Sequence, residues 1–197
     1  YSLLYSLKEI YLYNKARNNT NISIFEVGKG FYKENDEYKE DLKLAGLMTG
    51  DYYLDINNSK VDFYVIKGVV EELLDYLGFG GRYSFVTGEV PSELHPGQSA
   101  RIILQGKEIG VIGKLHPNTL KDNVYVFEIN LEKLLKNYPS RMTYKDIPKF
   151  PSISKDIAFI LDKNVTAGDV MATIKKAGGK LLQSISVFDV YTGENVA

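Results

Sequence analysis

The chain contains no cysteine, which excludes disulfide frameworks, thiolate metal sites and cysteine nucleophiles. That absence fits a reducing compartment, and the expected location is the cytoplasm. Histidine is nearly missing too: His95 and His116 alone supply too few nitrogens for an ordinary zinc site. No apolar run approaches the roughly 20 residues a membrane-spanning helix needs, and no charged leader precedes a short apolar core, so no membrane partner is expected. Charge of one sign is lacking as well. With 24 Lys and Arg against 25 Asp and Glu the net charge is -1, so a polyanion meets no global field and nucleic-acid contact has to come from a local patch. Internal repeats and low-complexity tracts are absent, and the start at Tyr1, without methionine, suggests a piece of a longer chain.

What is present is ordinary for a globular protein. The 197 residues are 44% hydrophobic and 25% charged, enough for one sizeable core and a small second unit. Leu3, Leu4, Leu7, Ile10, Tyr11 and Tyr13 recur at helical spacing, and Asn18 to Asn21 end that run. A strand is expected over Ile22 to Val27, a charged loop over Lys33 to Asp41, and a return strand over Leu42 to Met48. Asp62 is a good N-cap for a helix placing Phe63, Ile66, Val70, Leu73, Leu74 and Leu77 on one face before Gly78 stops it. Ala100 to Leu104 and Glu108 to Ile112 flank Gln105-Gly106-Lys107 as a hairpin, Val124 to Ile129 reads as a strand, and Leu131 to Tyr138 as a short helix. Sequential, hairpin-linked strands with interspersed helices predict an α+β fold, an antiparallel sheet backed by helices.

Composition changes near Pro139, where PSRMTYKDIPKFPS has the character of an interdomain linker. The expected division is a core domain over 1–139, a linker over 140–147 and a second domain over 148–197. In that tail Ile157 to Leu161 reads as a strand, Thr166 with Asp169 as a capping box for a helix over Val170 to Ala177, and Leu181 to Tyr191 as a second strand. This βαβ unit of about 50 residues buries too little apolar surface to stand alone, and it matches the first half of the ferredoxin-like βαββαβ plan.

Several patterns could carry chemistry. GKGF, Gly78 to Gly81 and Gly110 to Lys114 lack the spacing and strand-to-helix setting of a phosphate loop and read as turns. His95-Pro96 and His116-Pro117 show no nucleophile held to either ring and read as turn formers at strand ends. Glu34, Asp36 and Glu37 alternate with Lys33 and Lys39 rather than converge, which favours a solvated loop over a Mg²⁺ site.

The order of segments is more specific than any of these motifs. Ser2-Leu3-Leu4, IFEVGKGFY, LAGLMTG, VDFYVIKGVVEELLDYLG, LHPGQSA, IGVIGKLHPN, VYVFEINLEKLL, PKFPSISKDIAF, GDV, AGGKLL and VFDVYTGE follow one another along essentially the whole chain. Together they resemble the C-terminal part of the bacterial phenylalanyl-tRNA synthetase beta subunit family. The resemblance implies a class II synthetase-like antiparallel domain followed by a ferredoxin-like anticodon-binding domain. It also implies an α2β2 assembly whose alpha subunit uses ATP and Mg²⁺ to attach phenylalanine to tRNA-Phe.

In catalytic class II domains a strand ends in Phe-Arg-x-Glu, and its arginine grips the α-phosphate of ATP; the matching residues here are Phe31-Tyr32-Lys33-Glu34. A later strand runs into a helix opening with an arginine for the γ-phosphate; here stand Phe127 to Leu134, with Lys133 as the nearest cation. A phenol and an amine cannot replace two guanidinium forks. Glu128 would add a repulsive charge of about 4 kcal/mol at ~4 Å and an effective dielectric near 20. The resemblance therefore implies a noncatalytic chain that binds no cofactor or metal itself. The fifteen tyrosines, among them Tyr1, Tyr5, Tyr11, Tyr13, Tyr52 and Tyr53, suit an interface as well as a core. From Ser140 onward eight Lys and Arg face six Asp and Glu, and Arg141, Lys149 and Lys155 are candidates for RNA phosphate contacts, with Phe150 for base stacking. A divergent class II ligase and a free-standing RNA-binding module are the competing expectations.

Overall fold

The computed structural model describes residues 2–52, 59–136, 150–162 and 164–191. The chain divides into two compact units, Tyr1–Tyr144 and Lys145–Ala197. No helix among the described residues is long and apolar enough to cross a membrane.

The first unit runs α1 (Leu4–Lys15), β1 (Ile22–Glu34), β2 (Glu37–Thr49), α2 (Phe63–Tyr76), β3 (Tyr83–Val86), β4 (Leu94–Leu104), β5 (Lys107–Leu115), β6 (Tyr125–Asn130) and α3 (Leu131–Lys136). Its described strands form one antiparallel sheet of six, in the order β1-β2-β6-β5-β4-β3. The α+β expectation holds at that level.

Alternation along the strands sends side chains to two cores. On one face Leu44, Met48, Ile102, Ile112, Phe127 and Ile129 meet α2 through Ile66, Val70 and Leu74, and α3 adds Leu131 and Leu134. On the other face Ala45, Leu47, Val126, Leu94 and Leu115 meet α1 through Leu3, Leu7 and Tyr11. The Asp62 side chain accepts the Val65 N–H at 2.8 Å, as its N-cap position requires. Gly46 is obligatory for a packing reason: a Cβ there would lie 2.3 Å from the Phe127 ring, which covers the strand at that point.

The expected loop over Lys33 to Asp41 is instead continuous hairpin. β1 reaches Glu34 and β2 starts at Glu37, joined by Asn35 and Asp36 at φ 50° and 65°. Two left-handed residues in succession match the right-handed twist of the flanking strands, and Asn and Asp tolerate that conformation best after glycine. Gln105 and Gly106 turn β4 into β5 in the same way. The four-residue strand β3 was not foreseen in the sequence.

In the second unit α4 (Ala167–Gly178) begins at the expected capping box, in which Thr166 accepts the Asp169 N–H and Asp169 returns the bond to the Thr166 N–H. A short 3-10 turn, Gly179–Leu181, follows. The two expected strands are corrected. Neither Ile157 to Leu161 nor Leu182 to Tyr191 joins a ladder among the described residues, and Leu181 belongs to the turn. A strand exists by its inter-strand hydrogen bonds, and the split βαβ arrangement separates its two strands by the width of another, so these two segments do not pair with each other. Their apolar side chains, Ile157, Phe159, Ile160, Val187 and Phe188 among them, remain exposed.

Candidate functional site

The positions to which the resemblance assigns lost chemistry lie on the β1–β2 hairpin, at the end of β6 and on α3. Along β1, Glu26, Gly28, Gly30 and Tyr32 share one face, because side chains alternate. That face is the one on which α1 packs, and the first turn of α1 lies against it. The Ser6 hydroxyl donates to Glu26 Oε2, and Leu3 sits over Gly28, where a Cβ would be 3.2 Å from Leu3 Cδ2.

Glu128 projects from β6 onto the same face. Its Oε1 accepts the Ser2 hydroxyl at 2.7 Å and the Leu3 N–H at 2.8 Å, while its Oε2 receives the Lys43 ammonium at 2.9 Å. The free repulsive charge expected at Glu128 is thereby corrected: Lys43 neutralises it, and both oxygens are engaged. The role of Glu128 as an anchor for α1 was missed in the sequence because its partners are 85 to 126 residues away.

Tyr32 and Lys133 are not brought onto one face. Tyr32 pairs with Lys39, four residues along β2 from Lys43, which pairs with Asn130. It therefore lies about 13 Å beyond the end of β6, at about 3.3 Å per residue. Lys133 is exposed on α3, whose Leu131 and Leu134 enter the core on the α2 side. The sheet lies between the two positions.

The distal hairpin is charge-balanced rather than convergent. Lys29 pairs with Glu40 at 2.6 Å, Lys33 with Asp36 at 2.7 Å, and Lys39 with Glu34. The Lys39 hydrogen bond and charge hold the Glu34 carboxyl below its usual range and raise the Lys39 ammonium in return. Among the described residues no three His, Asp or Glu side chains gather as a metal site would require.

The two histidines face each other at the same end of β4 and β5, their ring centroids 6.1 Å apart. Each Nδ1 accepts the backbone N–H two residues on, Gly97 at 3.0 Å and Asn118 at 3.1 Å. An Nδ1 used as acceptor leaves the neutral ring's proton on Nε2, so neither nitrogen has a lone pair left for a metal. Turn formation is their visible role.

Of the expected interface tyrosines, Tyr5 and Tyr13 are exposed and Tyr11 is buried, while Tyr1 and Tyr53 lie outside the described residues. The cations Lys8 and Arg17 stand over the Tyr5 and Tyr13 rings, Arg17 at 3.4 Å from the ring centre. Of the RNA candidates, Phe150 and Lys155 are exposed, whereas Arg141 and Lys149 lie outside the described residues.

The linked motifs agree with one family. The profile described as the phenylalanyl tRNA synthetase beta chain CLM domain matches residues 1–131 of the 197. The chain belongs to the phenylalanyl-tRNA synthetase beta chain family. Residues 148–197 match a second profile, the ferredoxin-fold anticodon binding domain. Curated relatives carry the name phenylalanine--tRNA ligase beta subunit. That of Bacillus subtilis (strain 168) is 40% identical over 205 residues, covering 100% of this chain and 25% of the relative. Those of Staphylococcus aureus and Oceanobacillus iheyensis are 39% and 38% identical, each covering 99% of this chain and 25% of the relative. The chain thus spans about a quarter of the length of the curated relatives it matches.

Proposed function

We propose that this chain is a noncatalytic part of a phenylalanine-tRNA ligase, supporting a catalytic alpha subunit and presenting an anticodon-binding domain to tRNA-Phe. In this reading residues 1–139 are a class II synthetase-like domain without chemistry of its own, 140–147 a linker and 148–197 the RNA-facing unit. The assembly is an α2β2 heterotetramer in the cytoplasm, in which the alpha subunit uses ATP and Mg²⁺.

One observation carries the noncatalytic reading. On the face to which Tyr32 belongs, the first turn of α1 covers Glu26 and Gly28 and is tied to Glu128, while Tyr32 itself stays exposed further along β1. The residues present do not fit a triphosphate: a phenol stands at one motif position, a lysine at the other, and the sheet lies between them. For RNA contact Arg141, Lys149 and Lys155 supply cations and Phe150, 83% exposed, a stacking ring.

The test is co-purification with the catalytic alpha subunit, together with nucleotide calorimetry and pyrophosphate exchange on this chain alone. The expected result is a stable complex, no exchange and no nucleotide binding. Micromolar ATP affinity abolished by Lys133→Ala would establish a divergent ligase instead, and tight tRNA binding with no affinity for the alpha subunit a free-standing RNA-binding module.

A further inference from the structure

The described part of the second unit contains four lysines, Lys155, Lys175, Lys176 and Lys180, and four aspartates, Asp156, Asp162, Asp169 and Asp189. They are not mixed. Lys175 and Lys176 occupy the last turn of α4 and Lys180 the 3-10 turn after it, all three exposed. Two of the aspartates lie at the opposite end of the helix and are already occupied: Asp162 accepts the Asn164 N–H at 2.9 Å, and Asp169 closes the capping box on Thr166. Seven residues of helix, about 10 Å, separate Asp169 from Lys176, which is about one Debye length at 0.1 M salt.

In the first unit Lys15, Lys29, Lys33, Lys43 and Lys67 each meet a carboxylate, whereas others, such as Lys107 and Lys114, do not among the described residues. Among the described residues of the second unit no lysine is ion-paired. The helix end does not need these cations either. Gly179, at φ 50°, donates its N–H to the Lys175 carbonyl, and a helix C-terminus presents only about half a negative charge, which leaves about two and a half positive charges facing solvent.

We infer that Lys175, Lys176 and Lys180 form a contact for the sugar-phosphate backbone of tRNA at the C-terminal end of α4. The inference rests on the anticodon-binding reading above and adds to it residues other than Arg141, Lys149, Phe150 and Lys155. Ammonium groups on flexible stems, not forked guanidinium groups, suit charge neutralisation without base reading, so the contact strengthens binding and leaves sequence choice unchanged.

The experiment uses the complete beta subunit assembled with its catalytic partner, carrying Lys175→Gln, Lys176→Gln and Lys180→Gln together. Titration with tRNA-Phe over 50 to 200 mM salt is expected to show at least tenfold weaker binding at the low end. The slope of log K against log salt should fall by about 2, at about 0.7 to 0.9 per phosphate contact released. Pyrophosphate exchange without tRNA should be unchanged, and the triple Arg variant should keep both affinity and slope. An unchanged slope in the Gln variant overturns this inference alone. Equal loss in the Arg variant overturns it too, since the lysines would then be structural. Absence of tRNA binding in the unsubstituted complex overturns both this inference and the anticodon-binding reading.

Discussion

Glu128 on β6 and Lys43 on β2 form a shielded ion pair at 2.9 Å, with side chains 13% and 19% exposed. The other carboxylate oxygen holds the backbone of Leu3, so one acid joins the centre of the sheet to the beginning of α1. Removing one member of a fully buried pair costs about 3 to 5 kcal/mol, and here it leaves a part-buried charge alone. Glu128→Ala is therefore expected to lower the unfolding free energy by less than that, about 1 to 3 kcal/mol, in urea titrations. Adding Lys43→Met should recover part of the loss. Strict additivity of the two substitutions would show that the pair is uncoupled.

Gly28 makes room for Leu3. Gly28→Val should displace that side chain and destabilise the docking of α1 by about 1 to 3 kcal/mol, the usual cost of overpacking. Hydrogen exchange at the Leu7 amide, which bonds to the Leu3 carbonyl at 3.2 Å, should quicken while β4 and β5 amides keep their protection.

The other end of α1 is pH-sensitive in two directions. Lys15, and after it Tyr11, hold the Asp122 carboxyl below its ordinary 3.8. A depressed folded value contributes stability above about pH 4 that is lost as pH falls through it. The stability difference between the natural chain and Asp122→Asn should thus be full at pH 6 and shrink below pH 4. Burial, and after it Asp122, pushes the Tyr11 phenol from 10.0 up to about 12. A raised value acts oppositely: its stabilisation is complete below pH 10 and lost as pH climbs towards about 12. Alkaline unfolding of Tyr11→Phe compared with the natural chain reads this directly.

Thr166→Ala removes the cap of α4 and should cost about 1 kcal/mol of local helix stability. The check is exchange at the Asp169 amide, which loses its Thr166 Oγ1 acceptor and keeps only the Thr166 carbonyl, so a modest quickening is expected. Thr166→Ser should behave like the natural chain.

Much of the fold was legible because its signals are local. Asp62 and Thr166 cap the helices they announce, the apolar spacing of Ile66, Val70 and Leu74 sets the buried face of α2, and Gln105-Gly106 turns β4 into β5. The hairpin turn at Asn35-Asp36 was hidden by its charges, since Lys33, Glu34, Lys39 and Glu40 look like a solvated loop until their cross-strand pairing is seen. At the candidate site the resemblance points to Tyr32 and Lys133, but no spacing along the chain reveals that they face opposite sides of the sheet.

By itself the sequence determined the family, from the order of motifs along the whole chain, and the antiparallel class, from local hairpin signals; the loss of both guanidinium groups is what the resemblance implies. The tertiary structure alone decided that Glu128 is a neutralised anchor rather than a free charge. It also decided that α1 covers Glu26 and Gly28 on the face carrying Tyr32, and that the tail segments around Phe159 and Phe188 form no ladder among the described residues. The physical reason is common to all three: charge compensation, steric cover and strand pairing depend on which distant groups share a few ångströms of space, and contacts separated by a hundred residues leave no local pattern to read.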